Sequence, residues 1–123
     1  MPSPVESAVH HYVRAASERD PQIRMALLSA CFADDGRIVT RSGVIRGRAA
    51  VDAMIARFHA DPQNLGFRMT SALDAAGSTF RYRSLVDRRD GTCIEVFDAG
   101  EIDENGKIAT LLVFAGPLAE ATA

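Results

Sequence analysis

Apolar residues recur every three to four positions through the first half of the chain and every second position through much of the remainder, a change of period that predicts helices followed by strands. Ser3-Pro4-Val5-Glu6 reads as a helix start, with Ser at the cap, Pro in the first turn and Glu three residues after the cap. Val5, Ala8, Val9, Tyr12, Val13 and Ala16 then form one stripe, opposite Glu6, His10, Arg14 and Glu18, so Tyr12 faces the core. Asp20-Pro21 repeats the start signal, and Ile23, Ala26, Leu27, Ala30 and Cys31 are the predicted apolar stripe of a second helix ending near Phe32.

Asp34-Asp35-Gly36 reads as a turn, residues 37–41 as a β-branched strand closed by Ser42-Gly43, and Val44-Ile45 as a short strand. Helical spacing returns from Gly47 to about residue 60 through Ala50, Val51, Met54, Ile55 and Phe58, and Asp61-Pro62 stops it. Beyond Gly66 the period is two. Strands are predicted over 67–73, 80–86, 92–103 and 107–115, separated by Ala76-Gly77, Asp90-Gly91 and Asn105-Gly106; the last two are hairpin signals. The fold class that follows is α+β, with three helices packed on one face of a strongly curved, mainly antiparallel sheet.

At 123 residues the chain has room for one domain spanning 1–123. Hydrophobic residues make up 47% and charged residues 24%, a globular composition, and 14 basic against 16 acidic residues leave no basic footprint for nucleic acid. No apolar run has the length of a membrane span and the N-terminus lacks a signal-peptide pattern, so the expected location is the cytoplasm. Cys31 and Cys93 form no metal-ligand or redox pair and read as small buried hydrophobes; neither a metal nor a cofactor is expected. His10, His11 and His59 have no nucleophile to partner and receive no role.

One residue breaks the pattern. In the strand over 92–103, Ile94, Val96, Asp98, Gly100 and Ile102 share a face, which puts a carboxylate among apolar neighbours. If that face lines a pocket, desolvation raises the pKa of Asp98 and lets it hydrogen-bond a ligand oxygen; otherwise Asp98 is solvated or bonded to a neighbouring strand. Gly100 either leaves room for a ligand or marks a bulge. Tyr12 either packs as an ordinary core residue or finds a partner for its hydroxyl in Asp98 or a ligand. The alternation of residues 80–84 places Tyr82 inside and Arg81 and Arg83 outside.

Three strings, Phe32-Ala33-Asp34-Asp35-Gly36, Gly47-Arg48-Ala49-Ala50-Val51 and the run from Phe97 to Ile108, fall in an order that resembles the nuclear transport factor 2-like superfamily, in particular its SnoaL-like and ketosteroid-isomerase-like bacterial members. The resemblance implies a cone of bent sheet closed by helices, an apolar pocket inside, and a homodimer through the outer sheet face. It implies Asp98 and Tyr12 as the catalytic pair, Ile38, Thr40, Tyr82, Val96, Gly100 and Phe114 as ligand-binding residues, and Gly47-Arg48 as structural. The implied partner is a small, apolar, oxygen-bearing molecule such as a ketone, steroid-like or polyketide-like compound, isomerised or cyclised. Isomerase-like members carry a carboxylate base where this chain has Thr40, and Thr takes no proton at neutral pH. A ligand-binding module without chemistry and a dimerising accessory protein are the alternative readings.

Overall fold

The computed structural model describes residues 1–122. Helix α1 (Pro4–Ser17) starts where the Ser3 hydroxyl accepts the Glu6 N–H at 3.1 Å, and α2 (Pro21–Cys31) where the Asp20 carboxylate accepts the N–H groups of Gln22 and Ile23. Both caps satisfy amides that have no partner inside the helix. Strands β1 (Phe32–Thr40) and β2 (Gly43–Arg46) form a hairpin, and α3 (Arg48–Ala60) follows. The chain then builds β3 (Asn64–Met69), the short β4 (Asp74–Ala76), β5 (Thr79–Arg88), β6 (Cys93–Ile102) and β7 (Ile108–Ala115).

The strands form one sheet in the order β2-β1-β7-β6-β5-β3, with β4 added beside β5. Every pairing is antiparallel except β1 with β7, which run parallel, so the sheet is mixed. Register shifts in β1, β3 and the β6–β7 ladder mark irregularities of the kind that bend strands and increase twist. The helices cover the inner face. Val9, Ala15, Leu28, Cys31, Phe32, Ile38, Val51, Ile108 and Leu111 are fully buried between them.

Three local expectations change. Asp34-Asp35-Gly36 is no turn: β1 leaves α2 at Phe32 and carries both aspartates outward across its register shift. Gly36 is required there because a Cβ would meet the Phe32 ring and the Ile108 carbonyl, each at 2.8 Å or less. The buried stripe of α2 is Arg24, Leu28 and Cys31, while Ile23, Ala26 and Ala30 are exposed. Arg24 reaches the interior because its Nε–H donates to Asp52 on α3 at 2.6 Å and its Nη1 to the Glu18 carbonyl beyond α1 at 2.9 Å. That satisfies the guanidinium and leaves its aliphatic stem to pack. The strand expected over 67–73 stops at Met69, and Cys93 is exposed, although Cys31 is buried as expected.

Arg48 fastens the opening of α3 by donating from Nε to the Phe32 carbonyl at 2.8 Å, with Asp34 at 3.5 Å from Nη1. No helix is long and apolar enough to cross a membrane, and no cluster of three metal-ligating side chains occurs, among the described residues.

Candidate functional site

A cavity of about 230 Å³ lies between the helices and the inner face of the sheet. Helix α1 contributes Tyr12 and Ala16, and α3 contributes Met54, Ile55 and Phe58. The floor is Phe67, Val86, Val96, Asp98 and Val113, from four strands whose inward positions are fixed by the pleat. α3 is tied to α1 at this wall by His59, whose Nε2–H donates to the Ala16 carbonyl at 2.9 Å.

Asp98 supplies the only charged side chain of the wall and is 4% exposed. Burial pushes its pKa from 3.8 up to about 6; the Tyr82 phenol beside it acts in the opposite direction and offsets part of the rise. Neither Tyr82 Oη nor Asp98 Oδ1 has a partner within hydrogen-bond geometry. Tyr12 and Tyr82 are both held well above the ordinary phenol range, first by burial and then by the Asp98 charge. Both phenols therefore stay protonated, and both can donate. The buried Cys31 thiol is pushed up to about 12, chiefly by desolvation, which leaves it an inert thiol.

Asp98, Tyr12 and Val96 thus line one cavity. Tyr82 is buried directly opposite Asp98 in the β5–β6 register, behind the wall and not part of it, with Arg81 and Arg83 exposed on the other face. The remaining expected ligand-binding residues are elsewhere. Ile38 is fully buried in the packed core and is absent from the cavity wall. Thr40 ends β1, and its Oγ1 accepts the Ser42 N–H at 3.1 Å inside the hairpin turn. Gly100 makes room for protein: a Cβ there would meet the Thr110 carbonyl and, at 2.7 Å, the Phe80 ring. Phe114 pairs with Phe97 on the outer face, 50% exposed, and Val113 takes the inward place beside Asp98. The irregularity near Ile102 is the reason, because it sets which residues of β7 point inward.

Met54, Ile55, Phe58, Phe67 and Val86 were legible as apolar-face residues but carried no signal that they bound a cavity. Ser84, buried with its Oγ unpartnered, was hidden in the alternation of β5.

The sequence matches the SnoaL-like domain over residues 4–84. The chain belongs to the SnoaL-like family. The match includes Tyr12 and ends before Asp98. Among solved structures, a proposed isomerase of the SnoaL-like family from Agrobacterium tumefaciens C58 superposes with a TM-score of 0.82 at 20% identity, covering 93% of this chain and 98% of that one. A nuclear transport factor 2-like protein of unknown function from Burkholderia xenovorans gives 0.71 at 19% identity, over 97% and 88% of the two chains. A de novo designed protein with a curved β-sheet gives 0.74 at 17%, over 93% and 86%. No curated protein sequence matches. At these identities the likeness is one of fold, and a fold does not by itself specify an activity.

Proposed function

We propose that the SnoaL-like cavity binds a small, mostly apolar molecule through a carbonyl oxygen, that Tyr12 donates a hydrogen bond to that oxygen, and that Asp98 moves a proton on the adjoining carbon. The observation that carries this reading is the presence of Asp98 and Tyr12 on the wall of one apolar cavity, with one carboxyl oxygen buried and unpartnered. A carboxyl titrating near 6 is matched to taking a proton at neutral pH and returning it at a second carbon. A permanently protonated phenol is matched to stabilising the negative charge that develops on the oxygen meanwhile. The reaction class is isomerisation or cyclisation of a ketone. A cavity of about 230 Å³ is smaller than the roughly 300–1,000 Å³ typical of drug-sized ligands, which favours a compact one-ring ketone over a steroid skeleton.

The test is deuterium exchange in heavy water, followed by NMR on small cyclic enones. Wild type is expected to wash out the protons beside the carbonyl, and Asp98→Asn to bind without exchange. Exchange that persists in Asp98→Asn removes Asp98 from the chemistry. Thr40 favours a second reading, binding without turnover, because the side chain standing where a base is expected is committed to a turn. Ligand-induced stabilisation with no exchange in wild type selects that reading.

The protein is also proposed to act as a homodimer in the cytoplasm. Its outer sheet face presents Phe97, Leu112 and Phe114, with Val44, 55% exposed, on β2, an apolar surface suited to a second copy. Two free cysteines suit a reducing compartment.

A further inference from the structure

Asp98 borders the cavity, yet its Oδ1 is sealed from solvent and has no hydrogen-bond partner. Tyr82 stands directly opposite Asp98 in the β5–β6 ladder, on the same face, and its Oη is likewise buried and unpartnered. Directly opposed side chains on one face of an antiparallel pair begin about 4.5–5.5 Å apart at Cβ. A buried donor and a buried acceptor, each without a partner, are therefore neighbours. The Tyr82 ring is braced by Phe80, with ring centroids 6.2 Å apart and planes 13° from parallel.

Tyr82 is not part of the cavity wall, so its hydroxyl is placed to serve Asp98 and not a ligand. Buried polar groups are normally paired, and Phe at 82 would continue the apolar pattern of β5 with no hydroxyl to satisfy. The other titratable side chains near the carboxyl are Tyr12 of α1, which is on the wall, and the Cys31 thiol at the end of α2, which lies close to both phenols. α3, β3 and β7 bring only apolar side chains to the wall, and Arg81 and Arg83 are on the far face of β5. No cation among the described residues of the wall neutralises Asp98. A neutral donor must do so.

We propose, resting on the reading above, that Tyr82 is the positioning residue of Asp98: as the carboxyl ionises, the phenol closes on Oδ1 and donates to it, leaving Oδ2 to take the proton from the bound ketone. The two phenols then divide the work, Tyr12 on the ligand oxygen and Tyr82 on the base. A donor on a carboxylate favours its charged form, opposing the desolvation that favours the neutral one. The Tyr82 phenol does act on Asp98 in that direction. Tyr82 thereby sets the pH at which Asp98 begins to act as a base.

Carbon-detected NMR titration of the Asp98 carboxyl tests this, with Asp98→Asn to identify the signal and the melting temperature of each variant to verify folding. Wild type is expected to inflect near pH 6, and Tyr82→Phe about one to two pH units higher, the range of a hydrogen bond to a charged group. The acid limb of the deuterium-exchange profile is expected to move by the same interval. Replacing Tyr82 with 3-fluorotyrosine keeps the hydroxyl and makes it a stronger donor, so the inflection should fall below that of wild type. An unmoved or lowered inflection in folded Tyr82→Phe overturns the proposal, and so does a fluorotyrosine variant that inflects no lower than wild type, which decides the matter if Tyr82→Phe does not fold. Shifted inflections in a protein whose wild type exchanges no ketone support the pairing and overturn the catalytic reading. Exchange with the same pH profile in wild type and Tyr82→Phe keeps that reading and overturns the role of Tyr82.

Discussion

Tyr82 and Asp98 face each other across the β5–β6 ladder, both buried, each with an oxygen that no protein group satisfies. Because the phenol stays protonated, the carboxyl is the member of the pair whose charge changes in the accessible pH range.

That charge links stability to pH. The folded pKa of Asp98, about 6, lies above its ordinary 3.8, so the folded chain holds the proton more tightly than the unfolded chain. Its contribution to stability is fully present below about pH 4, declines as pH rises toward 6, and is lost above it. At about 1.4 kcal/mol per pH unit the difference is about 3 kcal/mol. Urea unfolding at pH 4 to 7 should show this slope in wild type and its loss in Asp98→Asn, with the variant the more stable at pH 7.

Gly100→Ala is expected to destabilise the fold by about 1–3 kcal/mol, since the new methyl collides with the Thr110 carbonyl and the Phe80 ring. Denaturant midpoints check this. An unchanged midpoint would mean that β6 and β7 separate easily at this position.

Asp52→Ala strands the buried Arg24 guanidinium with only the Glu18 carbonyl, and should cost about 2–3 kcal/mol, less than for a fully buried pair because the Asp52 side chain is 25% exposed. Adding Arg24→Met should recover much of the loss. A double variant as unstable as Asp52→Ala alone would show that the stem, not the charge, is what matters there.

Thr40→Val removes the acceptor for the Ser42 amide and should cost about 1 kcal/mol, leaving ketone affinity unchanged because Thr40 does not border the cavity. Calorimetry and thermal melting separate the two effects.

Phe114→Asp places a carboxylate on the exposed outer face. Sedimentation should report a dimer for wild type and a monomer for the variant, with the cavity's ligand affinity as the control for folding.

Much of this was visible in the sequence, because periodicity reports which side of an element meets the interior. Asp98 stood out among Ile94, Val96 and Ile102, and Tyr12 followed the stripe of its helix. The parts that were not visible depend on partners far along the chain. Arg24 is buried because Asp52 is there to receive it, which no window around α2 contains. Asp34-Asp35-Gly36 has turn chemistry, but Gly36 answers to Phe32 and to Ile108 of β7. Phe114 and Val113 exchange places because of an irregularity between β6 and β7, and one residue of slip reverses every side chain after it.

The parallel union of β1 with β7 joins the first strand of the fold to its final one. During synthesis β1 emerges with one long edge unpaired, and Ile38 has no Leu111 to meet until translation has passed β7. The nascent chain must therefore wait, with its early helices formed and its sheet open, so assembly is governed by long-range closure and falls among the slower folding topologies. Truncation before Ile108 should leave a species for chaperones to hold, not a smaller working cone.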